Sequence, residues 1–279
     1  MIKPIYKLKT WIDIKYLNWN QLSVNMNAID LLEMNIEKIN WKMLSRNINP
    51  RAIELLRKNI DRIDWSYLSA NESAIGLLME NKEKIDWDEF SRNPNGLDYL
   101  MDNPEKINWR NLCKNSNPKV IQILNKNKEM INWNVLSGNP NAIKMLYENI
   151  EKINWCILSS NANAIELIKS NPSKINIMYL SINSNCLEII NDYKFMINWY
   201  ELSQFPNLID FLEINKEYVN WTTLSANPAI FDISYDYKQI EKHFENIHDE
   251  IIEKALHPRR MLRLMEQYGE DEIYNIYFD

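Results

Sequence analysis

The chain has 279 residues, 46% of them hydrophobic and 25% charged, a composition that excludes disorder and supplies a sizeable core. Its 4 glycines, against 10 tryptophans and 14 tyrosines, leave little material for phosphate-binding loops. The net charge of −6 falls within residues 232–279, where 12 acidic residues meet 6 basic ones; the neutral remainder offers a nucleic-acid backbone no basic stripe.

The first residues, Met1-Ile2-Lys3-Pro4-Ile5-Tyr6-Lys7, lack the apolar run of a signal segment, and no stretch approaches the length of a membrane span. A cytoplasmic protein with no membrane partner is the expectation. The three cysteines, Cys113, Cys156 and Cys186, show no C-x-x-C pairing and read as reduced packing residues. Residues 13–18 copy the closing hexad of the repeat that follows them, which predicts an N-terminal cap over residues 1–18.

From residue 19 a single pattern takes over. Trp19, Trp41, Trp65, Trp87, Trp109, Trp133, Trp155, Trp199 and Trp221 each open a copy, and Ile177 stands in the one missing place. The consensus W-x-x-L-S-x-N-x-N-A-I-x-L-L-x-x-N-x-E-K-I-N repeats every 22 residues, or 24 where Ile48-Asn49 and Ser116-Asn117 lengthen a loop. Insertions of that size are best tolerated in loops.

Two helices fit each copy. Asn or Asp precedes each Trp, which suits an N-cap, and Trp and Leu then follow at i and i+3 on one face. Asn-Pro pairs such as Asn93-Pro94 and Asn139-Pro140 mark the start of a second helix. Apolar residues such as Ala28, Ile29, Leu31 and Leu32 give it a stripe of helical period. It ends at an Asn such as Asn35 or Asn149, a residue that tolerates left-handed backbone. One such pair leaves its stripe uncovered, so copies must stack.

The expected fold is therefore an all-α, right-angled or curved α-solenoid of about ten 22–24-residue two-helix repeats spanning residues 19–231. At 8–10 Å per packed helix, a stack of this kind would run on the order of 90 Å. A leucine-rich-repeat-like solenoid is the alternative, because I-x-W-x-x-L-S-x-N resembles that family's strand segment and the period lies in its range. After Phe231 the pattern stops. Residues 232–279 form an acidic C-terminal module, with helices expected from Tyr237 to Leu256 and from Arg259 to Tyr268.

Taken together, the tandem W-x-x-L-S-x-N-P-x-A-I-x-L-L copies over residues 13 to about 232 resemble a repeat family encoded in many copies by giant DNA viruses of amoebae and algae. The segment from Glu250 to Arg260 resembles a terminal segment common among proteins of those viruses. The resemblance implies a viral origin, with a place in the host cytoplasm or the virion, and no agreed activity. Ile177, Phe205 and the shortened last copy depart from the pattern.

Catalytic, cofactor and metal sites are not expected. No G-x-G-x-x-G, P-loop or G-x-S-x-G exists. His243 and His248, at i and i+5, diverge by about 140° on a helix, which does not suit a zinc pair. The Trp column reads as structural core through its pairing with Leu, an aromatic ladder being the other reading. The Asn and Ser columns read as caps and turn bonds. What varies is the pair of residues after each Trp. The apolar row Val135, Ile157, Tyr179 and Tyr200 forms a candidate protein-binding surface if it faces solvent, the alternative being that it points into the core. Two functions follow: a non-catalytic protein–protein interaction scaffold, or a structural component of a virus particle or viral factory.

Overall fold

The first helix of each copy is one turn long, and its start is set by the residue before it. In the computed structural model, which describes residues 4–186, 189, 198–235 and 253–269, Asn40 Oδ1 accepts from Met43 N at 3.1 Å and Asp64 Oδ1 from Tyr67 N at 3.0 Å. Helices Trp41–Leu44 and Trp65–Ser69 follow. The same cap recurs at Asn108, Asn132, Asn154, Asn176 and Asn220. Each satisfies N–H groups that a short helix leaves free.

In copies 3, 4, 6, 7 and 9 the second helix begins in a turn of 3-10 form and continues as α-helix, as in Pro140–Ala142 followed by Ile143–Tyr147, whereas in copy 2 it is α-helical from the start, Pro50–Arg57. Its closing Asn does not enter left-handed backbone. Asn35, Asn81 and Asn149 have φ between −138° and −134°. Each Nδ2 instead donates to the carbonyl four residues back, Asn35 to Leu31 O and Asn149 to Met145 O, both at 2.9 Å. The side-chain amide thereby satisfies a terminal carbonyl directly, and the backbone does not have to reverse. A third, short element then appears, a 3-10 turn such as Ile36–Lys38 or Ile150–Lys152.

The repeats are helical throughout, and among the described residues the only strands are β1 (Pro4–Leu8) and β2 (Phe231–Tyr235), paired in one two-stranded sheet. The all-α repeat solenoid is thus the fold, and the leucine-rich alternative, which needs a strand in every copy, falls.

The core is a column of Leu22, Leu44, Leu68, Leu112, Leu136 and their equivalents, fully buried and flanked by Ala28, Ala74, Ala142 and Leu32, Leu78, Leu146 from the second helices. Copy 4 shows how tightly this column is filled. Phe90 stands where other copies have Leu, and Gly96 stands where they have Ala. A Cβ on Gly96 would lie 2.6 Å from Phe90 Cζ. The larger ring and the missing methyl compensate each other, as close packing demands.

The chain divides into two compact units, Leu8–Asp232 and Met1–Lys7 with Ile233–Asp279. In the first, adjacent copies are joined by buried side chains that also serve as caps. Asn93 Nδ2 donates to Ser69 O and Asn71 O of the previous copy, at 3.0 and 2.8 Å, while its Oδ1 accepts from Asn95 N. Asn47, Asn71, Asn115, Asn139, Asn161 and Asn183 repeat this. Ser91 Oγ donates to Trp87 O and accepts from N of Asn108, the residue that caps the first helix of the next copy. The side-chain polar atoms of these Asn and Ser residues therefore have partners, which such a buried position requires.

The run of copies closes on itself. Asn25 of copy 1 donates to Ser225 O and Asn227 O of copy 10, at 3.0 and 2.9 Å. Asn18 N donates to Ser225 Oγ at 2.7 Å, and Asn27 Nδ2 to Pro228 O. Tyr16 lies on Trp221 in the place that Lys38 takes over Trp19. An open stack with two free ends is thereby replaced by a closed ring of ten copies in which Leu22 and Leu224 are as buried as any interior Leu. Residues 8–18, expected as part of a cap, supply the missing end of copy 10. Lys9 Nζ pairs with Asp232 at 2.8 Å and Lys9 N donates to Ile230 O across the closure.

In the second unit, the predicted helix near the C-terminus is present as Pro258–Tyr268. His257 caps it, with Pro258 at the first position. Gly269 closes it at φ 97°, a left-handed value that Gly adopts without a Cβ clash, and its N–H returns to Met265 O. Most of the helix expected from Tyr237 to Leu256, with His243 and His248, lies outside the described residues.

Candidate interaction surface

None of Trp19, Trp41, Trp65, Trp87, Trp109, Trp133, Trp155, Trp199 and Trp221 is buried; all are partly exposed. The expectation that they form the core is corrected, and the reason is the shortness of the first helix. Over one turn, the Leu three residues on fills the interior, and the indole remains at the rim. Its outer face is covered by a cation near the end of the same copy: Lys38 over Trp19 at 4.5 Å, Lys106 over Trp87 at 4.2 Å, Lys152 over Trp133 at 4.6 Å and Lys174 over Trp155 at 4.4 Å. Such pairs contribute roughly 0.5–1 kcal/mol at exposed sites. In copy 9, Tyr218 takes the cation's place and stacks on Trp199 with Phe211 on a further contact. The Lys of the closing N-x-E-K-I-N hexad is the sequence signal for this cover.

The variable row resolves into two columns. Val135, Ile157 and Tyr179 stand two residues after the opening position, whereas Tyr200 stands one residue after it. Consecutive helical residues point about 100° apart, so Tyr200 belongs with Met178 and Cys156 rather than with the other three. Val135 and Ile157 are partly buried, and Ile157 Cγ2 lies 3.1 Å from where a Cβ on Gly138 would sit. Tyr179 and Tyr200 are 41% and 50% exposed.

A better cluster emerges from this correction. Met178 is 68% exposed and Ile182 is 38% exposed. Met178 and Tyr179 stand on the helix Ile177–Leu180, and Ile182 lies in the turn that follows it, its N–H donating to Tyr179 O at 3.1 Å. Tyr200 occupies in copy 9 the place of Met178 in copy 8. Copies 8 and 9 thus expose four large apolar side chains, Met178 and Tyr200 in one column and Tyr179 about 100° round from it.

At the corresponding positions of copies 2 to 5 the chemistry is different. Arg46, Ala70, Arg92 and Lys114 stand five residues after the opening Trp, where copy 8 has Ile182. With Tyr67 and Glu72 they line a cleft of about 350 Å³ that runs across all four copies. Arg92 Nε is 2.8 Å from Glu89 Oε2, Lys114 Nζ donates to Asn111 Oδ1 at 3.1 Å, and the Arg46 guanidinium lies 5.2 Å from the Tyr67 ring centre.

Cys113 and Cys186 are buried, Cys113 in the place of the repeat Ser and Cys186 in that of the repeat Ala. Burial pushes both thiols up, Cys186 to about 11, which disfavours the thiolate a nucleophile needs. Among the described residues no group of three His, Cys, Asp or Glu side chains could hold a metal, and no helix is long and apolar enough to cross a membrane. Comparison of the chain with protein-family models, curated proteins and solved structures finds no match in any of the three.

Proposed function

We propose that this chain is a non-catalytic scaffold that holds a protein partner through copies 8 and 9 of its ring. The observation that supports this reading is the exposed apolar cluster of Met178, Tyr179, Ile182 and Tyr200. Packing does not require these residues, since the corresponding places elsewhere hold Asp88, Glu89, Arg110 and Lys114. Tyr and Met are also enriched in the buried centres of protein interfaces. A place in the cytoplasm of a virus-infected host is part of the same proposal and rests on the resemblance of the repeat residues alone.

The test replaces Tyr179 and Tyr200 together by Ser. Exposed substitutions of this kind change stability by about 0.5 kcal/mol or less each, so the melting temperature should hold. A photo-crosslinking residue placed at Met178 identifies the partner, and the same protein should be lost from the double Ser variant. Equal recovery of that protein with both chains would refute the assignment.

A further inference from the structure

The cleft across copies 2 to 5 has no part in that reading, and its composition points to a ligand of its own. Its position is the repeat column five residues after the opening Trp. In copies 1, 3, 6, 7, 8, 9 and 10 that column carries uncharged residues such as Val24, Gly138 and Ile182. Only Arg46, Arg92 and Lys114 are charged, all three are cations, and all three converge on one cavity. Against them stands a single lining carboxylate, Glu72.

The three cations are not used up by structural contacts. Arg92 alone has an ion pair, with Glu89. Lys114 is held by a neutral amide oxygen and Arg46 by an aromatic face, so neither meets a carboxylate within ion-pair distance among the described residues. Lys42, also over the Tyr67 ring, pairs with Asp64 and adds no excess charge. The cleft therefore keeps net positive charge in a chain whose total charge is negative. None of the three cations joins the Asn and Ser bonds between copies, so the fold does not require their charge.

We propose that this cleft binds a compact polyanion bearing two or more phosphate groups. Two arginines offer planar forks that match phosphate oxygens in bidentate fashion, and a lysine supplies a movable point charge. The cavity volume of about 350 Å³ falls at the lower end of small-ligand pockets, roughly 300–1,000 Å³. Convergence on one such cavity suits a compact charge better than a strand of nucleic acid or an extended acidic peptide, which would need cations continued along the column into copies 6 to 10. There the column is neutral.

The test uses the full chain and inorganic tripolyphosphate, titrated calorimetrically at low ionic strength. The wild-type chain should show saturable one-site binding that weakens steeply with added salt. Replacing Arg46 and Lys114 together by Gln should weaken it at least tenfold, with the melting temperature of the free chain unchanged. A control with Lys58 and Lys126 changed to Gln removes the same charge from exposed positions outside the cleft, and it should bind as the wild type does. Absence of saturable binding, or equal weakening in both double variants, overturns the proposal, the latter because it marks a general charge effect. Binding of a glutamate-rich peptide in place of tripolyphosphate also overturns it, in favour of an acidic protein segment.

Discussion

The junction between copies 3 and 4 and the closure between copies 10 and 1 are made from the same atoms in the same order. In the first, Asn93 donates to carbonyls 24 and 22 residues earlier in the chain; in the second, Asn25 donates to carbonyls 200 and 202 residues later. The loops to be closed differ about ninefold, a difference of roughly 2 kcal/mol in chain entropy if each formed alone. The closure carries the Lys9–Asp232 ion pair and the Trp11 ring beside Trp221, as the junction of copies 1 and 2 carries Arg51 with Asp30 and that of copies 2 and 3 carries Arg57 with Glu80. Interior junctions are expected to form early in folding and the closure last, in line with the cost of non-local contacts.

This equivalence can be broken at either place. Asn115→Ala in the interior removes two donated bonds and one accepted bond and leaves Ser91 O and Asn93 O without that donor. Each buried group left unsatisfied costs about 1–3 kcal/mol, so chemical denaturation should show a loss of roughly 3 kcal/mol. Asn25→Ala at the closure should lose a similar amount. A loss below about half a kcal/mol at Asn25, the size of an ordinary surface change, would mean that the closure contributes nothing to stability.

A smaller effect is expected at the rim. Trp133→Ala should destabilise by about 2 kcal/mol, below the 3–5 kcal/mol of a fully buried large aromatic, because the indole is only partly buried beneath Lys152. Denaturation of the variant measures this, and a value near 5 kcal/mol would return the Trp column to the core. The smallest effect concerns the one rung that lacks its amide. Phe205 stands where the ladder Asn should be and makes no side-chain cap. Phe205→Asn should raise stability by about 1 kcal/mol by restoring bonds worth roughly that much each. No gain in the denaturation midpoint would show that the half-exposed ring packs as well as an Asn bonds.

Much of the repeat was legible because its signals are local. The N-cap residues, the Asn-Pro starts and the Leu three after each Trp act within a few positions of one another. The closure was not read, though its sign was present. Tyr16-Leu17-Asn18 repeats the end of a copy, and copy 10 stops before its own end, so each terminus holds what the other lacks. Adjacent copies also hid the role of Asn93 and its equivalents, since a side chain that caps its own helix through Oδ1 can bridge to a neighbour through Nδ2. The candidate row slips by one residue at Tyr200, which on a helix moves a side chain to another face. The cationic cleft was invisible to composition because Arg46, Arg92 and Lys114 are balanced by acids elsewhere and meet only when copies 2 to 5 stack.

The closure of the ring is tested most directly by the distance between its first and last copies. Spin labels on cysteines replacing Asn20 and Thr222, with Cys156 changed to Ser, report that distance in the full chain. Labels replacing Asn20 and Lys42 report the distance between true neighbours. A closed ring requires the two pairs to give the same dipolar coupling, that of positions about 10 Å apart across packed helices. A separation for the 20/222 pair several times that of the 20/42 pair, approaching the roughly 90 Å of an open stack of ten copies, would contradict it.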